Sequence, residues 1–230
     1  INEENILSII QGIVKACEEN NCKLVGGETA QMAEVYTEGK FDLAGFIVGI
    51  SEKNKIKNKS NTKSGDLLIG IPSNGIHTNG YSLVRKVFKI EKNKQILYEH
   101  FDELNSTLGE ELSKPHISYF PLIKKIQNYM KISAHITGGG FIENIPRVIN
   151  ENLDAIIKYG SWEINPIFNL IQKYGKISDQ EMFNVFNMGI GLVVVSTKDN
   201  SKKILSENKN ATIIGYLKEN QNLKSKVIIN

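Results

Sequence analysis

Four glycine-bearing turns punctuate this 230-residue chain: "GGETA" at 26–30, "SNGIHTNG" at 73–80, "ITGGG" at 136–140 and "FNMGIG" at 186–191. Glycine loses more backbone freedom on folding than any other residue. Its repeated use between apolar runs and helical patterns marks places where the backbone must turn sharply or approach something closely. A chain built this way folds as layered strands and helices, with its chemistry concentrated at the turns.

The runs between the turns support that reading. In "ENILSIIQGIVKACEEN", Ile6, Ile9, Ile10, Ile13, Val14 and Cys17 share one helical face. "CKLVGGE" reads as a short buried strand and "FDLAGFIVGISEK" as a second one. "GDLLIGIPS" is a further strand, followed by a helix through "YSLVRKVFKI" that Thr78 or Asn79 could cap. Residues 91–112 are polar and mixed, a loop with some helix. "ISYFPLIKKIQNYMK" is amphipathic, and "FIENIPRVI" is helical after the glycine triplet. "LDAIIKYG" is a strand. "PIFNLIQKYG" is a helix with Pro166 in its first turn and Gly175 past its end. Ser178 and Glu181 have the spacing of a capping box. "GIGLVVVST" is a buried strand, "SKKILSENK" a helix, and "ATIIGYLK" and "KSKVIIN" closing strands.

Residues 53–65, "KNKIKNKSNTKSG", break the pattern. Five lysines sit there among Asn and Ser, the signature of a solvated connector. It divides the chain at about residue 57, giving an α/β protein of two domains, 1–57 and 58–230. The net charge of +3 owes much to this stretch, and it is too mild to argue for a nucleic-acid partner. No apolar run approaches the roughly 20 residues that span a bilayer. Cys17 and Cys22 are read as reduced packing residues, because a disulfide framework takes more cysteines in a shorter chain.

Each turn has a bland and a functional reading. Glu28, displayed after two glycines, suits a surface turn or a metal ion. His77 lies between a strand and a helix start, where backbone N–H groups and a positive dipole end favour an anion. There it could donate to a phosphate, shuttle a proton, or simply be solvated. The glycine triplet offers either a tight strand-to-helix turn or an anion-binding concavity. It matches neither the P-loop nor the dinucleotide fingerprint. "FNMGIG" alone says only helix, turn, strand. No Ser–His–Asp arrangement is visible, and no His and Cys fall at metal-ligand spacing. That combination favours electrostatic stabilisation of a phosphorylated ligand over covalent catalysis.

Taken in order, "LVGGETAQM", "DLAGFIVGISEK", "NGIHTNGYSLVRKV", "AHITGGGFIENIPRV" and "FNMGIGLVVV" resemble the aminoimidazole ribonucleotide synthetase (phosphoribosylformylglycinamidine cyclo-ligase) family across essentially the whole chain. The resemblance implies a two-domain ATP-binding fold, with the first domain only partly present. It implies ATP-dependent ring closure of formylglycinamidine ribonucleotide in cytoplasmic purine biosynthesis, with Mg²⁺. It also implies a homodimer joined through the strand around residues 42–50. By motif, Glu28 and Thr29 fall in the ATP and metal region, and His77 is the catalytic candidate. Gly75, Thr78, Asn79, Thr137, Gly138, Gly139, Gly140, Asn144, Arg147, Asn187 and Gly189 fall on the substrate or phosphate cleft.

The sequence also departs from that family. The D-G-V-G-T-K and N-D motifs, whose aspartates the resemblance implies as Mg²⁺–ATP ligands, are absent from these 230 residues. "QMAEVY" replaces E-M-P-G-x-Y. His116 and Ile117 stand where the family usually has Thr and a basic residue, and Asn184 where an arginine often stands. Other readings within the resemblance are thiamin-monophosphate kinase and formylglycinamidine ribonucleotide synthetase. A non-catalytic nucleotide-binding or dimerisation module is a third.

Overall fold

In a computed structural model, residues 3–32, 34–37, 39–221 and 224–230 are described. Ala33, in the "QMAEVY" stretch, lies outside them. The chain divides into two compact units, 1–56 and 57–230.

The first unit contains one long helix, α1 (Glu3–Glu19). Its half-buried positions, Ile6, Ile9, Ile13 and Cys17, follow the helical spacing of the sequence. Cys17 and Cys22 are both free thiols. The two strands expected at "CKLVGGE" and "FDLAGFIVGISEK" are not formed: residues 22–32 and 41–50 are irregular. A strand exists only where a neighbouring backbone pairs with its N–H and C=O groups. Among the described residues of this unit no such partner is present. Phe46, Ile47, Val48 and Ile50 therefore stand in solvent, Phe46 at 96% exposure.

The second unit holds the core. Its elements are β1 (Leu67–Pro72), α2 (Tyr81–Val87), β2 (His100–Phe101), β3 (Ser106–Thr107), α3 (Leu108–Leu112), α4 (Phe120–Ile126), β4 (Ile132–His135), α5 (Gly140–Asn144), β5 (Leu153–Ile157), α6 (Pro166–Gly175), α7 (Asp179–Val185), β6 (Ile190–Ser196), α8 (Lys198–Glu207), β7 (Thr212–Glu219) and β8 (Val227–Ile229). Six strands form one sheet in the order β4-β6-β1-β7-β5-β8. All pairings are antiparallel except β5 with β8. β2 and β3 make a separate small hairpin.

Successive side chains on a strand point to opposite faces, and both faces of this sheet are covered. Leu68, Val193, Val195, Ala155, Ile157 and Ile214 join residues of α2, α3, α5, α6 and α7 in the larger core. Ile69, Ile71, Leu192 and Val194 meet Tyr119, Ile126, Met130 and Ile204 on the other side, under α4 and α8. Every residue of β6 is consequently buried. This is why "GIGLVVVST" reads as an unbroken apolar run rather than an alternating one.

Local chemistry sets the element ends. Ser178 caps α7, accepting from the Glu181 N–H at 3.3 Å. A full capping box appears at Thr107 and Glu110, inside the region read from sequence as mostly loop. Lys176, not Gly175, takes the left-handed position that ends α6, while Gly175 stays within the helix. The start of α2 is capped by neither Thr78 nor Asn79; Gly80 occupies that position in a left-handed conformation. The helix expected over "FIENIPRVI" stops at Asn144 and a short 3-10 turn follows at Pro146–Val148. Proline has no N–H to continue the α-helical ladder.

The lysine-rich connector is partly tied down. Lys57 Nζ donates to the Gln127 carbonyl at 2.6 Å, and Lys59 pairs with Glu151 at 2.9 Å. Asp66, buried beside it, accepts from the Lys63 N–H and forms an ion pair with Lys131 at 2.7 Å.

Candidate functional site

Antiparallel pairing brings the three informative turns of this unit to one end of the sheet. β4, β6 and β1 are neighbours, with His135 opposite Leu192 and Pro72 opposite Ile190. Residues 73–80 leave β1 at that end, 136–140 leave β4, and 187–189 enter β6.

Asn187 ties two of these turns together. It is buried, and its Oδ1 accepts from Ser73 Oγ at 2.8 Å and from the Gly189 N–H at 2.9 Å. Its Nδ2 donates to the Gly75 carbonyl at 2.9 Å. The glycine triplet has its own organiser in Asn144. Nδ2 of Asn144 donates to the Gly138 and Gly140 carbonyls at 3.1 and 2.8 Å. Its Oδ1 accepts from Thr137 Oγ1 and Arg147 Nη1. Arg147 is further engaged with Glu143 at 3.1 Å.

The glycines of the triplet differ in what they do. Gly139 and Gly140 are left-handed, with φ of 87° and 53°. A Cβ on Gly140 would lie 1.9 Å from the Phe183 carbonyl oxygen, so this glycine lets α5 pack against α7. Gly138 is exposed, and a Cβ there would approach Asn79 Oδ1 at 3.4 Å, an ordinary contact. The triplet is therefore a packed turn at one end and an accessible backbone at the other. Thr78, next to Asn79, is exposed.

His77 is buried, and its φ of 58° is unusual for a residue with a side chain. A left-handed conformation costs an L-residue about 1–2 kcal/mol, so the surrounding turn must hold it there. His77 Nε2 donates to Asn74 Oδ1 at 2.9 Å. Its Nδ1 is buried without a hydrogen-bond partner among the described residues. His77 packs against His116 with 3.9 Å between ring centroids and a tilt of 35°, and His116 in turn meets His135 edge-on at 5.1 Å. His116 Nε2 lies 3.1 Å from His135 Nε2, and its Nδ1 lies 2.6 Å from the Ile117 carbonyl. Tyr119 adjoins all three rings and donates its hydroxyl proton to the Pro72 carbonyl at 2.9 Å. Gly191 makes room for this packing: a Cβ there would fall 2.0 Å from Tyr119 Oη and 2.7 Å from His77 Cε1.

Burial, reinforced by the neighbouring His116 and His135, pulls the His77 pKa down to about 4. Burial likewise lowers His135, with His116 adding to the effect, and raises the Tyr119 phenol. His77 is therefore a neutral imidazole at pH 7. Beside the rings lies an open depression of about 400 Å³, lined by His116, Ile117, Ser118, Tyr119, Ile123, His135 and Leu192.

Three histidines without metal-ligand spacing along the sequence nevertheless come together in the fold. One ring nitrogen of each of His77, His116 and His135 lies within 4.8 Å of the others. Their separation along the chain hides the cluster, and only the pairing of β4, β6 and β1 assembles it. Glu28 and Thr29 are exposed in the irregular part of the first unit. Among the described residues, Glu28 belongs to no tight group of metal-capable side chains.

Residues 63–228 match the family described as AIR synthase related protein, C-terminal domain, and residues 2–51 match the N-terminal domain of the same description. The chain is 47% identical over 227 residues to a phosphoribosylformylglycinamidine cyclo-ligase of Caldicellulosiruptor saccharolyticus. That alignment covers 96% of this chain and 67% of the relative. A Bacillus cereus (strain AH187) enzyme of the same name is 47% identical over 216 residues, covering 91% of this chain and 62% of its own length. The chain thus spans about two thirds of the length of these relatives. Among solved structures, a hydrogenase maturation protein HypE aligns with a TM-score of 0.50 at 11% identity, over 75% of this chain and 51% of that one. That likeness concerns the fold alone. No helix among the described residues is long and apolar enough to cross a membrane.

Proposed function

This chain belongs to the aminoimidazole ribonucleotide synthetase (phosphoribosylformylglycinamidine cyclo-ligase) family, and on that premise we propose that it carries the larger part of an ATP-dependent ring-closing ligase. The observation that carries the reading is the 47% identity spread over 227 residues. In the proposed reaction, the formyl-amide oxygen of formylglycinamidine ribonucleotide attacks the γ-phosphorus of ATP and ADP leaves. The amidine nitrogen then attacks the activated carbon, the C–O bond breaks, phosphate departs, and loss of a proton leaves the aminoimidazole. The setting would be purine synthesis in the cytoplasm.

The convergence of turns 73–80, 136–140 and 187–189 at one sheet end supports a cleft wall there. The exposed Gly138 backbone, with Thr78 and Asn79 nearby, is suited to an anionic or polar ligand. Gly75, Asn187 and Gly189 act as the frame that holds the His77 turn. Neutral at pH 7, His77 would accept a proton or a hydrogen bond rather than supply a charge. His77→Ala should lower turnover by about 10²-fold, the low end of acid–base effects. Thr137, Gly139, Gly140 and Asn144 hold the triplet in shape. Arg147 would have to leave Glu143 to meet a phosphate.

Mg²⁺ belongs to the reading, but the residues in hand do not form its cage. Mg²⁺ takes oxygen ligands. Glu28 is exposed and, among the described residues, joins no group of metal-capable side chains, and the histidine group offers nitrogens. Homodimerisation through residues 42–50 fits the exposed apolar row from Phe46 to Ile50.

A coupled ADP-release assay on the full-length protein carrying this chain tests the proposal. ADP release with formylglycinamidine ribonucleotide is the expected result. Release with thiamin monophosphate instead would reassign the chain within the superfamily, and none with any candidate substrate would favour a non-catalytic binding module.

A further inference from the structure

We propose that His77, His116 and His135 form a binding site for a divalent transition-metal ion of the Zn²⁺ class, with one coordination position left open to the depression beside Tyr119. The inference concerns the chain's own side chains and does not depend on the ligase reading.

The donor atoms are already gathered. One ring nitrogen of each histidine lies within 4.8 Å of the others, and His116 Nε2 and His135 Nε2 are 3.1 Å apart. Three nitrogens held at about 2.0–2.1 Å from a tetrahedral ion lie roughly 3.3 Å from one another. Binding requires the His77 and His116 rings, now 3.9 Å apart between centroids and tilted by 35°, to turn until their in-plane lone pairs meet at one point.

Outer contacts set the tautomers for binding. The amide oxygen of Asn74 only accepts, so His77 Nε2 carries the proton and Nδ1 carries the lone pair. The Ile117 carbonyl fixes the proton of His116 on Nδ1 in the same way, leaving the lone pair on Nε2. A ligating histidine commonly has its other ring nitrogen engaged like this, because the outer bond orients the ring. The nitrogen left bare on His116 is the one that lies 3.1 Å from His135 Nε2, and Nδ1 is the nitrogen His77 has free to offer.

The buried, unpartnered Nδ1 of His77 is an independent sign. A buried polar atom left without a partner forfeits its hydration with nothing in return, and a bound metal would supply the missing contact. An all-imidazole set suits Zn²⁺, Cu²⁺ or Ni²⁺, and not Mg²⁺ or Ca²⁺, which need oxygen donors. Three protein ligands with one open position describe an exchangeable site rather than a closed structural one. His135 is exposed and borders the depression, so the fourth position would face solvent and take water or an anionic oxygen.

The test uses the full chain, stripped with a chelator and titrated with Co²⁺ as a spectroscopic stand-in. One equivalent should bind, give visible ligand-field bands of a low-coordinate nitrogen site, and be displaced stoichiometrically by Zn²⁺. His116→Ala should weaken binding by more than the roughly 10–100-fold that loss of an outer-shell partner costs. His135→Ala, at an exposed residue of β4, should do the same. His100→Ala, outside the cluster, should bind as the parent does. Unchanged affinity in H116A or H135A, absence of binding by the parent chain, or the weak bands of an oxygen-coordinated octahedral ion would each overturn the site.

Discussion

The glycine triplet contains its own controlled experiment, because Gly138 and Gly140 differ in backbone and surroundings. Alanine at position 140 would sit at a φ of 53°, where an L-residue costs about 1–2 kcal/mol. Its Cβ would also fall 1.9 Å from the Phe183 carbonyl oxygen. The obstacle is backbone, so α5 and α7 must separate, and overpacking of this kind costs about 1–3 kcal/mol. The expected sum for Gly140→Ala is about 2–5 kcal/mol, which lowers the melting temperature by roughly 4–20 °C at about 2–4 °C per kcal/mol. Alanine at position 138 meets no such obstacle, and its stability should change by about 0.5 kcal/mol or less, as at other surface sites. Thermal and urea denaturation of the two variants provide the comparison. Equal losses, or a larger loss for Gly138→Ala, would refute the division of the triplet into a packed end and an accessible end.

Three further outcomes follow from the structure. Asp66→Asn should cost about 3–5 kcal/mol in urea denaturation by stranding the Lys131 charge, and Asp66→Asn combined with Lys131→Met should recover most of it. Asn187→Ala removes the acceptor for Ser73 and Gly189 and the donor to Gly75. Amide exchange at Gly189 should accelerate, and stability should fall by about 1–3 kcal/mol for each buried partner left unpaired. The Thr107 N–H and hydroxyl hold the Glu110 carboxyl below its usual range. A folded pKa below the unfolded one gives stability that is present above the unfolded value and lost as pH falls through the folded one. Thermal melts from about pH 7 down to about pH 3 should therefore show a shallower acid decline in Glu110→Gln than in the parent.

Much of the second unit can be read from its residues, and the first unit shows where such reading fails. "LLIGIP", "LDAII" and "IGLVVVS" are strands because their apolar runs find neighbours on both sides of a covered sheet. "FDLAGFIVGI" has the same character and forms no strand, because nothing among the described residues of its unit pairs with it. Strand propensity describes a surface that could pair; whether it does depends on a second backbone. At the site, the phases of the glycines were legible and their roles were not. Gly140 and Gly191 are required by atoms that lie far along the chain, the Phe183 carbonyl and the Tyr119 and His77 rings.

By itself the sequence determined the periodic elements, the connector, the order of the glycine turns and, through that order, the family. These are local properties, carried by side-chain spacing and turn chemistry. The tertiary structure decided which turns share an end of the sheet. It placed His77 against His116 and His135, tied His77 to Asn74 and His116 to the Ile117 carbonyl, and brought one ring nitrogen of each histidine within 4.8 Å of the others. The physical reason is the antiparallel register of β4 on β6 and of β6 on β1. Strand pairing joins residues without regard to their distance along the chain, and that distance is what a reading by spacing relies on.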